Sequence, residues 1–328
     1  MGSELEVGQV LDGRFRIVDV ISRSGMASIF KAIDQKTDSL VALKVPFMQF
    51  ESDPGFYQRF QREQAIGRVL HHPYILKMMD DESMSKSRPY IVMEYLEGQT
   101  LGHLMQTIRP MPEPDATKIA SRICEALHYM HEHDVVHRDL KPENVMICND
   151  GSIRIMDFGI AKFQAARRLT FGGFTPAMGT PDYMAPEQVK GKRGDRRTDI
   201  YSLGAILYEM ATGSVPFEGA NPFVIMNARL SGDPIAPRRR NDNISPQVEE
   251  IILHAMARHP QDRYATALDM KQELDHPETV RLTGRADRLV TPSPVSGNLR
   301  RYRLVAISIA IPVLVLLAAL LYKHLSWK

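Results

Sequence analysis

The chain has 328 residues, of which 44% are hydrophobic and 24% are charged, and its formal net charge is +2. This hydrophobic share is typical of a globular protein with a proper core, and the near-neutral charge gives no general attraction to nucleic acid, so we expect no nucleic-acid partner. The two cysteines are too few for a disulfide framework and fit a reducing compartment.

The first part of the chain is rich in predicted strands. Residues 1–9 have neither a basic start nor an apolar core, so they predict no signal peptide and are assigned to an N-terminal extension. Four apolar runs then predict strands: RFRIVDV, ASIFKAID, SLVALKVP and PYIVMEYL. One helix interrupts them, because apolar residues recur at helical spacing in PGFYQRFQREQAIGRVL, with Glu63 and Gly67 on the same stripe.

The stretch ISRSGMAS, residues 21–28, joins the first two of these strands. A strand, a flexible turn and a second strand are the pattern of a hairpin. Such a turn can bring backbone N–H groups close to phosphates, but only Gly25 in it is a glycine. By itself the stretch leaves open whether it covers phosphates or is an ordinary surface turn.

Helices dominate after residue 100. The run EPDATKIASRICEALHYMHEH has apolar residues at helical spacing, and TDIYSLGAILYEMATG is predicted to start with Thr198 or Asp199 as N-cap and to stop at Gly213. The pattern predicts an α+β architecture: a small strand-rich lobe, about 10–97, and a larger helical lobe, about 98–276.

Two stretches contain the candidate catalytic residues: VVHRDLKPENVMI, residues 135–147, and IMDFGIA, which includes Asp157. Phosphoryl transfer depends mainly on positioning and on charge stabilisation. Asp139 supplies a carboxylate that can accept the proton of an incoming hydroxyl, and Lys141 supplies an ammonium that can steady the moving phosphoryl group. Asn144 and Asp157 supply oxygen ligands that can hold magnesium on the phosphates.

The order H-R-D-x-K-x-x-x-N and then D-F-G resembles the protein kinase superfamily. Lys141 and the later stretch GTPDYMAPEQ resemble the Ser/Thr kinases, and HPYILKMMD and MEYLEGQTL resemble the bacterial eukaryotic-like branch. The resemblance covers roughly residues 10–276. It implies the bilobal protein kinase fold and transfer of the ATP γ-phosphate to Ser or Thr of proteins, with Mg²⁺, or Mn²⁺ in its place, as the metal ion.

The resemblance also implies roles for residues outside the catalytic loop. Lys44 in VALKVP stands at the position of the ATP-binding lysine, and Glu63 in RFQRE at that of its glutamate partner. Asp199 would anchor the catalytic loop, and Arg263 would pair with Glu187.

Counted back from Lys44, ISRSGMASI falls on the glycine-rich loop of the family, with Ser22, Ser24 and Ala27 at the three signature positions. Small residues permit only part of the close approach that glycine allows, so we expect a stiffer lid and a higher KM for ATP. Met93 would be the gatekeeper of an apolar adenine slot. The nucleotide-binding residues implied are Ile21, Ser22, Arg23, Ser24, Gly25, Met26, Ala27, Ser28, Ile29, Ala42, Lys44, Glu63, Glu94 and Met146.

Regulation is implied by Arg138, which precedes the catalytic aspartate. In the family such an arginine often receives a phosphate from the activation loop as a charge-assisted pair. The segment KFQAARRLTFGGFTPAMGT offers Thr170 and Thr175 as phosphorylation candidates. Their alternative role is plain loop polarity.

The C-terminal part predicts a membrane anchor. Residues 304–322, LVAISIAIPVLVLLAALLY, have no charge and approach the length of a bilayer-spanning helix. Residues 277–303 are read as a juxtamembrane linker whose six arginines either contact anionic lipid or stay solvated, and 323–328 are a short tail. The arginines before the apolar run place the kinase domain in the cytoplasm, on a single-pass protein of the cell membrane.

Two rival functions stay open at this stage. The first is a membrane-anchored pseudokinase scaffold with weak or no catalysis, suggested by the altered glycine-rich loop. The second is a kinase that acts on small molecules. The stretch GTPDYMAPEQ argues against it, because in protein kinases this stretch shapes the surface that binds peptide substrates. A homodimer, formed through the membrane helix or the small lobe, is a further hypothesis.

Overall fold

The computed structural model describes residues 5–24, 26–51, 53–79, 86–157 and 181–290. Several predicted features lie outside these residues: Gly25 at the lid, the candidates Thr170 and Thr175, and the apolar run 304–322. Within the described part, no helix is both long enough and apolar enough to cross a membrane.

The N-terminal lobe is a five-stranded antiparallel sheet in the order β1-β2-β3-β4-β5. Its strands are β1 (Val10–Leu11), β2 (Phe15–Ser24), β3 (Ala27–Asp34), β4 (Ser39–Pro46) and β5 (Ile91–Glu94). The side chains of β3 alternate between half-buried and buried positions, as a pleated strand requires. One face packs around Phe15 and Tyr90, whose rings meet edge to face at 5.7 Å. The other face carries Lys44 toward the second lobe.

Two helices follow β4: α1 (Met48–Glu51) and α2 (Pro54–Val69). Asp53 caps α2 because its carboxylate accepts hydrogen bonds from the N–H groups of Gly55 and Phe56, and proline at the first helical position has no N–H to satisfy. The predicted helix is therefore confirmed. Its buried residues Phe56 and Phe60 pack into the main core.

The C-terminal lobe consists of helices around one long buried helix. Its elements are α3 (Leu101–Thr107), α4 (Glu113–Glu132), α5 (Pro186–Val189), α6 (Arg196–Thr212), α7 (Pro222–Ser231), α8 (Pro237–Arg240), α9 (Pro246–Ala255) and α10 (Ala267–Asp275). A small antiparallel sheet of β6 (Gly98–Thr100), β7 (Val145–Cys148) and β8 (Ile153–Ile155) faces the first lobe. The predicted bilobal α+β fold is confirmed.

Helix α6 starts earlier than predicted. Its N-cap is Asp195, whose carboxylate accepts the N–H of Arg197, and not Thr198 or Asp199. Those two side chains are committed to contacts with other elements, so they do not serve as caps. The predicted end is confirmed: Gly213 adopts φ 72°, the left-handed conformation that glycine takes most easily.

Residues 277–290, the first half of the predicted linker, pack onto the C-terminal lobe; we call them the C-terminal strap. Val280 is buried, and the Thr283 hydroxyl donates to Glu250 Oε1 at 2.5 Å. The N–H of Val290 donates to Asp233 Oδ2 at 2.9 Å. The strap includes two short 3-10 turns, Pro277–Thr279 and Ala286–Arg288.

Candidate active site

Three charged side chains meet between the lobes. Lys44, on β4, places its Nζ 2.6 Å from Glu63 Oε1 on α2 and 2.8 Å from Asp157 Oδ1. Asp157 follows β8 by two residues and has a φ of 53°, an uncommon backbone conformation for a residue other than glycine. The predicted contact between Lys44 and Glu63 is confirmed, and it joins the sheet, the helix and the second lobe at one point.

The three groups set each other's pKa values. Burial alone would lower the pKa of Lys44, but the carboxylates of Asp157 and Glu63 outweigh it and raise that pKa. The nearby ammonium of Lys44 lowers the pKa of Asp157, whereas burial raises the pKa of Glu63. Lys44 is therefore a fixed positive charge at neutral pH, beside the place where an anionic ligand would enter.

In the catalytic loop, the segment that contains Asp139, Lys141 and Asn144, the side chains of Asp139 and Asn144 lie next to each other. The Asn144 amide donates to the main-chain carbonyl of Asp139 at 2.8 Å and to Asp139 Oδ2 at 3.2 Å. Asn144 ends a 3-10 turn, Pro142–Asn144, and its carbonyl accepts the N–H of Met156 at 2.8 Å, next to Asp157. The fold therefore brings all three predicted oxygen-bearing residues into one site. Lys141 begins the same turn, and its Nζ lies 4.0 Å from Glu143 Oε2.

A fully buried carboxylate holds this loop. Asp199 Oδ2 accepts the N–H of His137 at 2.8 Å, and Oδ1 accepts the N–H of Arg138 at 2.7 Å. Burial would raise the pKa of Asp199, but the hydrogen bond from His131 and nearby positive charge keep that pKa below its usual value. The predicted anchoring position of Asp199 is confirmed.

Sequence reasoning missed one part of this anchor. His131 Nε2 lies 2.8 Å from Asp199 Oδ2, and both side chains are almost completely buried. His131 is at the end of α4, and a histidine there gives no signal in the sequence beyond its place on a helical stripe. Its contact depends on how α4 packs against α6, which only the tertiary structure reveals.

The predicted pair of Glu187 and Arg263 is confirmed as a bidentate contact. Both oxygens of Glu187 lie 2.8 Å from guanidinium nitrogens, and the Thr198 hydroxyl donates to Glu187 Oε1 at 2.8 Å. Burial would raise the pKa of Glu187, but the Arg263 hydrogen bonds outweigh it and lower that pKa. Gln188 was also missed: its amide donates to the carbonyl of Arg138 at 2.8 Å and so ties α5 to the catalytic loop.

The lid is a hairpin, as predicted. Strands β2 and β3 stay paired through Ser22↔Ile29, Arg23↔Ser28 and Ser24↔Ala27. The carbonyl of Met26 accepts the N–H of Phe47, which fixes the tip to the end of β4.

The residues predicted to line the adenine slot differ in how deeply they are buried. Ala42 and Met93 are buried opposite each other in the β4–β5 register, Met146 is half-buried, and Ile21 is exposed. The Glu94 carboxylate accepts the N–H of Lys77 at 2.8 Å. Any contact of Glu94 with a nucleotide would therefore come from its main chain.

The oxygen-bearing side chains of this site fit a hard divalent cation that also binds phosphate. Asp157 and Asn144 offer carboxylate and amide oxygens, which are ligands that Mg²⁺ prefers. Among the residues that the structure describes, no group of three or more His, Cys, Asp and Glu side chains could hold a metal alone. An ion at this site would therefore need further oxygens from a phosphate group and water, as is usual for Mg²⁺.

Comparison with known proteins agrees with this geometry. The family model described as protein kinase domain matches residues 15–277. The serine/threonine-protein kinase PknB of Mycobacterium leprae is 36% identical over 297 residues, which cover 88% of this chain and 48% of that protein. A probable serine/threonine-protein kinase PknB of Corynebacterium glutamicum is 36% identical over 272 residues, covering 81% and 42%. The chain thus spans about half the length of these relatives.

A solved structure shares the fold. The kinase domain of Mycobacterium tuberculosis PknI aligns with a TM-score of 0.65 over 84% of this chain and 100% of that one, at 24% sequence identity. At this identity the likeness supports the architecture alone. Together with the matched family model and the PknB relatives, it leads to one conclusion: the chain belongs to the protein kinase family, and within it to the bacterial eukaryotic-like Ser/Thr kinases.

Proposed function

We propose that this chain is an active Ser/Thr protein kinase, which transfers the γ-phosphate of ATP to Ser or Thr of proteins and to itself, in bacterial signalling. The observation that carries the proposal is the cluster in which Lys44 Nζ lies 2.6 Å from Glu63 and 2.8 Å from Asp157. Such a cluster brings a phosphate-binding cation next to a metal-binding carboxylate. These are the two kinds of group that phosphoryl transfer from a metal-bound nucleotide requires.

Each residue of the site has a role in this reaction. Asp139 orients the acceptor hydroxyl and takes its proton, and the amide of Asn144 holds that carboxylate in place. Lys141, two residues further on, neutralises charge on the transferring phosphoryl group. Lys44, kept in position by Glu63, binds the α- and β-phosphates.

Asn144 and Asp157 would hold Mg²⁺, which supplies charge neutralisation on the phosphates when bound. Because Lys44 also contacts Asp157 at 2.8 Å, one oxygen of that carboxylate is already occupied in the structure. We expect nucleotide binding to draw Lys44 toward the phosphates and to release this oxygen.

The test compares the full chain in detergent with its Asp139→Asn variant, using radiolabelled ATP and magnesium with a generic protein acceptor. We expect label on Ser or Thr with the parent and at least a hundredfold less with the variant, because Asn cannot accept the proton. Both proteins must bind nucleotide and unfold at the same temperature. Equal, negligible labelling by both folded proteins would support the pseudokinase scaffold.

The surroundings of Arg138, the predicted receiver of a phosphate, support autophosphorylation. Arg138 Nε is buried and has no hydrogen-bond partner among the described residues. Burial and the nearby charges of Arg193 and Arg62 lower the pKa of Arg138, so a dianionic phosphate here would relieve the repulsion among three guanidinium groups. We propose that Thr170 or Thr175 supplies it, which peptide mapping of the labelled parent would test.

We also propose that residues 304–322 anchor the chain in the cell membrane, with the kinase domain in the cytoplasm and the basic residues before the anchor near anionic lipid. The support is the uncharged apolar run and the arginines at positions 300, 301 and 303. Alkaline carbonate extraction of membranes tests this proposal: the full chain should stay in the pellet. A variant with two apolar residues of 304–322 changed to arginine should be released.

A further inference from the structure

One buried arginine connects helix α7 to the stretch of chain that precedes α5. Arg229, in the last turn of α7, is only 1% exposed. Its guanidinium donates through Nη1 to the main-chain carbonyl of Pro181 and through Nη2, at 2.5 Å, to that of Asp182. The planar fork of a guanidinium can hold two neighbouring oxygens in one fixed arrangement, which the single ammonium of lysine cannot do. Arg229 therefore fixes two consecutive peptide groups.

The surroundings of Arg229 show that it does more than fill space. Its guanidinium carbon lies 5.3 Å from the centroid of the Phe217 ring, which is itself buried. Taking a charge out of water costs free energy, and an apolar side chain of similar length would fill the same space without that cost. The two carbonyl contacts explain a buried arginine at this position better than packing does.

Helix α6 holds the next residue of the same stretch. The Ser202 hydroxyl donates to the main-chain carbonyl of Tyr183 at 2.8 Å, and the Tyr183 hydroxyl donates to Glu209 Oε2 at 2.5 Å. Residue 183 would therefore stay attached to α6 if Arg229 were replaced. Residues 181 and 182 would lose their attachment to α7 and could move relative to it.

This stretch lies next to the acceptor side of the candidate active site. It belongs to GTPDYMAPEQ, which the family resemblance assigns to the binding of peptide substrates. It leads into α5, whose Gln188 donates to the carbonyl of Arg138 at 2.8 Å, and Asp139 is the next residue. A displacement of residues 181 and 182 would thus change where an acceptor peptide lies relative to Asp139, while the groups around Lys44 stay in place.

We propose that Arg229 is a positioning residue for the protein acceptor: by holding the carbonyls of Pro181 and Asp182, it sets the peptide-binding surface in register with Asp139. The proposal rests on the proposed function. Arg229 acts through the main chain of these two residues and not by contact with the reacting atoms. The nucleotide side of the reaction does not depend on it.

The experiment measures initial rates of the full chain in detergent and of its variants Arg229→Met and Arg229→Lys. Methionine keeps a long unbranched side chain but has no N–H to donate, whereas lysine keeps the charge without the fork. We expect the KM for a protein acceptor to rise at least tenfold in Arg229→Met and at least threefold in Arg229→Lys. The Kd of Mg·ATP and the slow hydrolysis of ATP without acceptor should change less than twofold. A merely structural role would lower all of these activities together.

The variant Arg258→Met is the matched control. Arg258 belongs to the same lobe, and its guanidinium donates to Asp233 Oδ1 at 2.7 Å. Its replacement also removes a partly buried guanidinium, but one that holds a carboxylate and not the carbonyls of residues 181 and 182. The KM for the acceptor should stay within twofold of the parent value.

Two results would overturn the proposal. The first is a parent-like acceptor KM in either Arg229 variant, and the second is an equal loss of acceptor phosphorylation and of acceptor-independent ATP hydrolysis. If Arg229→Met does not fold, Arg229→Lys decides by the same two measurements.

Hydrogen exchange gives a readout that needs no activity. Amides in peptides that cover residues 181–189 should exchange faster in Arg229→Met than in the parent, with no change in peptides from α4. Unchanged exchange at 181–189 rejects the inference. An inactive parent in which the exchange responds as expected would instead reject the proposed function and leave the role of Arg229 in holding this stretch intact.

Discussion

The catalytic loop around Asp139 and the phosphate-binding cluster of Lys44, Glu63 and Asp157 are held in place in different ways. The loop is tied to the interior by Asp199, which is 0% exposed and accepts two main-chain N–H groups and a histidine. The cluster depends on side chains that reach across from separate elements, and Lys44, Glu63 and Asp157 are 16%, 12% and 47% exposed. The acceptor side of the reaction is therefore built by folding of the C-terminal lobe, whereas the nucleotide side depends on where α2 and the hairpin lie.

The comparison predicts that substitutions at the anchor destabilise the protein, and the strongest test is Asp199→Ala. Two buried N–H groups and His131 would lose their acceptor. Because each such group costs about 1–3 kcal/mol, we expect a loss of roughly 5 kcal/mol in the free energy of unfolding and a large loss of kcat. Urea unfolding and initial rates measure both. A stable variant with normal kcat would show that the loop holds its shape without this carboxylate.

The second prediction concerns Glu187→Gln, which leaves the buried Arg263 without its charged partner. Breaking a buried pair in this way costs about 3 kcal/mol. The pKa of Glu187 is lowered in the folded protein, so its contribution is present above its pKa in the unfolded chain, about 4.3, and is lost as the pH falls through its lower folded value. The stability difference between parent and variant should thus be full at pH 7 and shrink below pH 4.3. A difference that is independent of pH would contradict this assignment.

On the nucleotide side, Glu63→Gln should affect catalysis far more than stability. The substitution keeps the shape but removes the charge that holds Lys44, so we expect kcat to fall about ten- to a hundredfold, or roughly 1.4–2.7 kcal/mol of transition-state stabilisation. The unfolding temperature should change by no more than a few degrees. Steady-state kinetics and thermal unfolding of the same preparation check both. An equally large loss of stability would mean that the two regions do not differ as described.

The smallest effect is expected from the lid. A variant with Ser22, Ser24 and Ala27 all changed to glycine should bring the hairpin backbone closer to the phosphates, since glycine permits approaches that side chains obstruct. We expect the KM for ATP to fall about threefold, which corresponds to roughly 0.7 kcal/mol, with kcat nearly unchanged. Varying the ATP concentration at fixed acceptor measures it. An unchanged KM would show that the serine and alanine side chains do not limit the lid.

Local sequence patterns predicted most of the fold and of the candidate site. Alternating apolar residues predicted the strands. The motifs that contain Asp139, Asn144 and Asp157 resemble those of protein kinases, and this resemblance predicted a phosphoryl-transfer site whose members the structure brings together. The contact of Lys44 with Glu63 followed from the family resemblance.

Contacts between distant elements could not be predicted. The roles of His131 and Gln188 depend on how α4 packs against α6 and where α5 lies relative to the loop. The start of α6 was misplaced because two candidate caps, Thr198 and Asp199, are used elsewhere.

The C-terminal strap has a consequence for the proposed membrane anchor. Residues 277–290 are fixed to the C-terminal lobe by Glu250 and Asp233. An anchor at 304–322 would therefore be separated from the lobe by residues 291–303 alone, and not by all of 277–303. A stretch of this length spans at most about 45 Å when fully extended, so the proposed anchor would keep the active site close to the bilayer and favour acceptors near the membrane.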